Sequence, residues 1–308
     1  MQRYIVIRLF HSVLALIGVS LLVFTLVRLS GNPLDLIDDE EQPGLRQALA
    51  ARWGVEEPFY KQYFLFAKNT LQGDFGPSFR WPGRTATDLI SERFLATIQL
   101  GSAVFLFGVL IGIPLGVISA VKKGSFIDTI GKTFALTGIA TPTFWVSIIL
   151  IWIFAVELRW TPTSGKGGLD HMVLPVLAGG TTGIASWLRL TRTAMLDALD
   201  SDYVMYARMK GLPDWKVVWK HALRNALIVP ITNFGGVISG IITGSVVLET
   251  VFAWPGIGLL AIQSINGRDY VVIQAITLIG AVTLILGNLT VDILYAYIDP
   301  RIRYDRAN

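Results

Sequence analysis

Residues 95–121 read Leu-Ala-Thr-Ile-Gln-Leu-Gly-Ser-Ala-Val-Phe-Leu-Phe-Gly-Val-Leu-Ile-Gly-Ile-Pro-Leu-Gly-Val-Ile-Ser-Ala-Val, with no charge until Lys122 and Lys123 close the run. A helix needs about 20 predominantly apolar residues to cross a bilayer core of about 30 Å, and this run meets that length. Working outward, similar runs lie at about 9–29, 134–156, 172–195, 226–252 and 271–298. Six transmembrane helices are the expectation, and the fold class is an all-α integral membrane protein. Composition agrees: 16% of the residues are charged, where a soluble domain carries about 25%, and the mean hydropathy is +0.56. Gly and Pro punctuate all the spans, which membrane helices tolerate because neighbouring helices re-satisfy freed backbone groups.

The first run follows Arg3 and Arg8, as in a signal peptide. It is too long for an h-region, however, and no small-x-small cleavage site follows, so it reads as an uncleaved span. There are no cysteines, which excludes disulfides, thiolate metal sites and thiol catalysis. The pI near 9.3 does not indicate nucleic acid, because the basic residues form no single patch. Topology accounts for them. With the N-terminus inside, 15 of the 26 Lys and Arg fall on the inner side, and the two short outer loops hold only Arg159, Lys166 and Arg268. Both termini are therefore expected in the cytoplasm. The remaining eight lie between about Arg28 and Phe94, in and just before a long first outer segment, 31–94, whose 46–53 stretch reads as a short helix before a run of aromatics at 59–64. That segment fits a docking surface for a soluble partner and a cap on the bundle equally well.

Small residues recur every fourth position at Gly108, Gly112 and Gly116, and again at Gly236, Gly240 and Gly244. Such ladders open a groove for close helix packing; a pore-lining role is the alternative. Within the spans, Glu249 and Asp292 are the notable carboxylates, and an intramembrane carboxylate is a candidate for a transport pathway. No series of carboxylates and histidines crosses the membrane as a proton relay would require. His11, His171 and His221 stand near span ends and far apart.

The inner loop at 196–225 has more structure than a linker needs. Asp202 is placed to cap a helix running through Lys210, and Gly211 to end it in the left-handed region. Pro213 then opens a second amphipathic helix, with Val217, Val218, His221 and Ala222 on one face and Lys216, Lys220 and Arg224 on another. This helix–turn–helix suits the docking of a protein. A helix lying in lipid headgroups is the competing reading.

The loop resembles that of the permeases of ATP-binding-cassette importers, whose motif runs Glu-Ala-Ala, three residues, Gly, nine residues, Ile-x-Leu-Pro. Met205, Tyr206, Ala207, Gly211, His221, Leu223 and Arg224 fall on it, and Ala207, Gly211 and Leu223 match it literally. The departures are those of the dipeptide, oligopeptide and nickel branch, whose Tyr-x-x-x-Ala-Arg-x-Lys-Gly-Leu…His-Ala-Leu-Arg is met by Tyr203, Ala207, Arg208, Lys210, Gly211, Leu212 and His221 to Arg224. The likeness continues in Gly73-Asp74-Phe75-Gly76-Pro77-Ser78-Phe79, Pro142-Thr143-Phe144-Trp145, Leu174-Pro175, Arg189-Leu190-Thr191-Arg192, Glu249-Thr250-Val251-Phe252, Pro255-Gly256-Ile257-Gly258, Arg268-Asp269-Tyr270 and Asp299-Pro300-Arg301-Ile302-Arg303-Tyr304. It covers nearly the whole chain and is nearest to the B permease of oligopeptide importers. Leu95 departs from it, where the family often has Pro.

The resemblance implies a type I importer permease fold: a core at 95–298, an outer segment at 31–94 and an inner tail at 299–308. It implies a second homologous permease, two cytoplasmic ATPases that bind ATP and Mg, and an extracytoplasmic binding protein. Tyr203, Ala207, Arg208, Lys210, Gly211, Leu212, His221 and Leu223 would form the ATPase-coupling element. Glu249, Trp254, Pro255, Gly256 and Gly258 would belong to a pathway or gate, with a re-entrant packing turn as the alternative for 254–258. The chain has no Gly-x-x-x-x-Gly-Lys-Ser/Thr phosphate loop, so any ATP chemistry sits on another chain; no enzyme activity, metal site or bound cofactor is expected of this one. The implied cargo is oligopeptides or dipeptides. Nickel, opines and oligosaccharides are alternatives within the branch, and a proton-coupled secondary transporter is the alternative outside it.

Overall fold

A computed structural model of the protein describes residues 2–29, 50, 57–232, 236–237, 240–241 and 244–298, with the side chains of 2–6, 232 and 291–298 excepted. The expectations for 46–53, Asp292 and 299–304 fall outside what is described. The described residues are helical almost throughout. In chain order they form α1 (Gln2–Leu29), α2 (Phe59–Leu71), α3 (Ala86–Val121), α4 (Phe126–Ala140), and α5 (Thr143–Leu150), which continues as a π-helical stretch, Ile151–Glu157. Next come α6 (Asp170–Leu199) and α7 (Asp202–Met209). A composite α8 follows, made of Asp214–Lys216, a π-helical stretch Val217–Ala222 and a last turn Leu223–Ala226. The chain then continues through α9 (Ile228–Thr232), α10 (Val246–Val251), α11 (Ile257–Asn266) and α12 (Tyr270–Ile298).

Among the described residues, three helices are long and apolar enough to cross a membrane: Ile7–Leu29 of α1, Ala86–Val121, and Tyr270–Thr290 of α12. A fourth candidate is the pair Phe126–Ala140 and Thr143–Glu157, bent by 101°. The straight helix expected over 134–156 is thus replaced by a broken one, and the cause is local. Pro142 disfavours the α region for the residue before it, and Thr141 is extended at φ −83°, ψ 124°. The second run is longer than its apolar stretch suggests, because α3 begins at Ala86. The fifth run, 226–252, is described only in part, as α9, α10 and two helical fragments at 236–237 and 240–241.

Contacts divide the chain into two compact units. The first comprises Met1–Thr97, Ile242–Val246 and Pro255–Asn308. In it α1 packs on α12, and α2 is fastened to α1 by aromatic rings. The Phe24 ring meets Phe59, Tyr63 and Phe66 at centroid distances of 5.4, 5.6 and 5.2 Å, spacings at which ring pairs attract. A hydroxyl bond of 2.7 Å joins Ser20 and Tyr63 beside them. Ala86, Leu89 and Ile90 at the start of α3 form a core with Ile257, Leu260, Val271, Val272 and Ala275.

Asp269 organises this unit. Fully buried, it caps α12 by accepting from the Val272 amide at 3.2 Å. It also accepts from the Ser78 hydroxyl and, at 3.2 Å, from the Arg80 amide. The turn 73–80 and the Arg268-Asp269-Tyr270 motif, nearly two hundred residues apart in sequence, therefore meet on one carboxylate. The end of α11 shows an exchange of roles. Arg268 takes the left-handed conformation (φ 52°) where glycine is usual. The adjacent Gly267 is needed for space, since a Cβ there would lie 2.6 Å from Arg80 Cδ and Nη1. That room lets the Arg80 guanidinium donate to the Gln263 carbonyl at 2.9 Å.

The second unit comprises Ile98–Ile241 and Val247–Trp254. Here α6 is the central element, packed by α4, α5 and α8. Along α3, a Cβ on Gly108 would stand 3.3 Å from Gly183, on Gly112 2.6 Å from Trp187 Cβ, and on Gly116 2.7 Å from Thr191 Cβ. Gly138 of α4 approaches the other side of α6, with Ala185 Cβ 2.8 Å from where its own would be. Only bare backbone allows such approach. The other ladder differs. A Cβ on Gly236 or Gly240 would meet nothing within 4 Å, and Gly244 has the left-handed φ of 81°.

Candidate functional site

The loop after α6 is a two-layered structure in the second unit. Its inner layer is apolar: Val204, Ala207, Val217, Val218 and Ala222 are buried against Val117 and Ala120 of α3 and Ala194, Met195 and Ala198 of α6. Ser201, not Asp202, occupies the N-cap position of α7. Asp202 is instead the first helical residue, where its charge faces the positive end of the helix dipole. The other end follows the sequence closely. Gly211 has φ 72°, its amide donates to the Arg208 carbonyl at 2.9 Å, and the Leu212 amide reaches back to Ala207 at 3.4 Å. These two bonds make a Schellman motif, and Leu212 packs on the same apolar cluster as Ala207. Pro213 sits one position earlier than expected, at the N-cap of α8. The π-helical stretch at 217–222 widens the helix and turns Val217, Val218 and Ala222 inward together.

The outer layer is aromatic, thioether and cationic. Tyr203, Met205, Tyr206, Met209, Trp215 and Trp219 are exposed, Met209 and Trp215 to 64% each, and Arg208, Lys210, Lys216 and Lys220 stand exposed among them. Lys216 lies 5.4 Å from the Trp215 ring centroid, and Arg208 is 3.9 Å from Asp214. The residues singled out from sequence therefore divide. Tyr203, Arg208, Lys210 and Gly211 are on the outside; Ala207 is buried; Leu212, His221 and Leu223 are half-buried. Met209, Trp215 and Trp219 were not singled out, and Met205 only as a motif position. Their signal was large apolar residues falling at helical positions off the buried stripe.

Asp128 was also overlooked, though the helices beneath the loop depend on it. Its buried carboxylate accepts from Ser119 Oγ at 2.7 Å and the Gly124 amide at 2.9 Å. Arg192 donates to it bidentately, at 2.7 and 3.0 Å, and Lys132 Nζ lies 3.5 Å away. Bidentate charge-assisted pairs are strong and directional. This one ties α4 to α6 just ahead of Ala194 and Met195, on which the loop rests. The signal in sequence was Ser125-x-x-Asp128, a helix-start pattern, and the Ser125 hydroxyl does accept from the Asp128 amide at 3.3 Å.

The pathway candidates fall in both units. In the second, Glu249 and Trp254 are buried to 1% and 0% exposure. The α10 helix ends in a tight turn whose left-handed residue is Ala253 (φ 46°), the Trp254 amide donating to the Glu249 carbonyl at 2.9 Å. In the first, Gly256 is the N-cap of α11, Gly256 and Gly258 are buried, and Pro255 is half-buried. The Ile257 amide donates to Thr97 Oγ1 at 2.8 Å. Among the described residues, no three His, Asp or Glu side chains gather as metal ligands.

An all-helical membrane protein that mounts an exposed, cation-bearing loop on a dry base is the kind of chain that works through a partner. Residues 112–304 match the family of the binding-protein-dependent transport system inner membrane component. The chain is similar over 99% of its length, and over the full length of each relative, to three transport permeases. They are the oligopeptide transport system permease protein AppB of Bacillus subtilis (40% identical), OppB of the same description from Haemophilus influenzae (37%), and the glutathione transport system permease protein GsiC of Escherichia coli K12 (39%). The chain belongs to this permease family: it is a multi-pass inner-membrane transport subunit, not an enzyme, of systems that use a binding protein and partner ATPases.

Proposed function

We propose that the chain is the permease of an importer that carries peptides, oligopeptides foremost, driven by ATP hydrolysed on partner subunits. The relatives support the cargo, since those named above are oligopeptide and glutathione permeases, and a fourth, 35% identical, is the dipeptide permease DppB of Alkalihalophilus pseudofirmus. The observation that carries the coupling is the outer layer of the 203–223 loop: exposed aromatic and cationic side chains held by a buried base, as a docked ATPase would require. Six spans with both termini inside put that loop in the cytoplasm. A second homologous permease completes the pathway, and Glu249, Trp254, Pro255, Gly256 and Gly258 contribute to it or to its gate.

The mechanism is transmission. Closure of the ATPases on ATP moves the loop as a rigid piece, because its inner layer is continuous with α3 and α6. Two states of the bundle are thereby biased differently, and only such differential interaction shifts an equilibrium. Gly211 is the joint between the two helices. Gly211→Pro is incompatible with φ 72° and removes the amide that bonds Arg208. In vesicles carrying the complete transporter, this variant should abolish ATP-dependent uptake of a labelled oligopeptide. Full uptake by the variant, or uptake by the parent without ATP as in a proton-coupled carrier, sinks the reading.

A further inference from the structure

One surface of the first unit has no part in the coupling just described. Phe59, Tyr63 and Phe66 of α2 pack on Phe24, Phe59 remaining 48% exposed. An adjacent face, about 110° round the helix, carries Tyr60, Phe64 and Leu71, exposed to 68%, 68% and 89%. Positions 60, 64 and 71 are four and seven residues apart, so they share one stripe of the helix. Exposed Lys61 and Lys68 lie on one flank of that stripe.

The place of α2 on α1 says what covers this stripe. Phe24 stands five residues before the end of the candidate span Ile7–Leu29, about 7.5 Å along a helix. The Arg28 guanidinium lies 5.4 Å from the same Phe24 ring. Below it, α1 exposes Leu14, Ile17, Leu21, Leu22 and Leu26, the side chains of a lipid-facing surface. A helix pinned at Phe24 therefore rides where hydrocarbon gives way to headgroups, the level at which Tyr and aromatic side chains concentrate. Large apolar groups on one face with lysines alongside is the pattern of helices that lie in that interface and favour anionic lipid.

We propose that α2 is an interfacial anchor, its Tyr60–Phe64–Leu71 stripe embedded in the outer headgroup region, with Lys68 beside lipid phosphates and Lys61 exchanging its exposed Glu57 partner, 2.9 Å away, for one. The anchor would fix the depth of α1 and hold the outer segment to the membrane plane. It does not depend on the identity of the cargo or on ATPase coupling.

The chain has no cysteine, so Phe64→Cys and, separately, Leu71→Cys accept a single nitrobenzoxadiazole label on this chain. The labelled full-length permease is placed in vesicles of phosphatidylethanolamine and phosphatidylglycerol, with no other protein present. Blue-shifted emission is expected, quenched by shallow doxyl-labelled lipid at least about two-fold more than by aqueous iodide. Replacing Lys61 and Lys68 by Glu should reverse that preference or shift it toward iodide in vesicles rich in phosphatidylglycerol. Water-like emission quenched mainly by iodide at both sites overturns the proposal; protection by added binding protein alone assigns the stripe to that protein. Lipid quenching unchanged by the Lys→Glu pair overturns the role given to the lysines.

Discussion

Gly112 and Gly236 are the same residue type on ladders of the same spacing, yet substitution at each has opposite expected consequences. At Gly112 a Cβ would lie 2.6 Å from Trp187 Cβ and 2.8 Å from the Ile184 carbonyl oxygen, so α3 must shift away from α6. Gly112→Ala is expected to destabilise the permease by about 1–3 kcal/mol, the ordinary cost of overpacking. At Gly236 the space is open, and Gly236→Ala should gain up to about 1 kcal/mol of helix propensity. Thermal melts of the two purified variants in one detergent test this: the apparent melting temperature should fall for the first and not for the second. The spacing of the glycines was legible in the sequence. The surface each one faces was not, because period alone does not name a partner. Arg268 carries the same lesson, since its left-handed torsion becomes intelligible only once Arg80 is seen to occupy the space beside Gly267.

Among elements, the ends of helices were the hardest features to read. Periodicity located α3, α6 and α12, but Ser201 rather than Asp202 stands at the N-cap position of α7, Pro213 precedes α8 by one residue, and Pro142 breaks a run that composition presents as continuous. Each involves a backbone choice made by one residue, to which an average over twenty is blind. The cap of α12 is the most consequential. Asp269 satisfies a helix amide, a turn amide and a hydroxyl at once, so Asp269→Ala strands two buried donors, Ser78 Oγ and the Val272 amide, and the part-buried Arg80 amide. A loss of about 2–4 kcal/mol is expected from the missing cap and the unsatisfied groups, together with faster proteolysis within 73–84. An unchanged melting temperature and cleavage pattern would show that the turn is held by other contacts. Nothing in either sequence fragment alone announced that they meet.

At the scale of the molecule, membrane residence and the helix–turn–helix at 202–226 could be read from composition and motif, whereas the division of that loop into a dry layer and an exposed one could not. Ala207 and Arg208 are neighbours in one motif but do different work: Ala207 is buried, and Arg208 faces outward beside Lys210 and the exposed aromatic residues. Reversing both charges, Arg208→Glu with Lys210→Glu, leaves the buried layer intact. Recovery of the ATPases with the tagged permease should fall about tenfold, equivalent to about 1.4 kcal/mol, with no loss of permease stability. Recovery equal to the parent would mean that this face meets lipid. The same experiment on Ala207→Glu should instead destabilise the permease itself, since it drives a charge into the dry layer.

The ion pair of Asp128 and Arg192 also has a bearing on how the chain is made. Its partners are 64 residues apart, and synthesis at about 5–20 residues per second separates their emergence by roughly 3–13 s. During that interval the carboxylate has Ser119, Gly124 and Lys132 but not the guanidinium that completes it, so α4 can be threaded yet not locked. Arrival of Arg192 closes the clasp before the loop at 202–226 has left the ribosome. The base beneath that loop can thereby be set before the loop itself emerges.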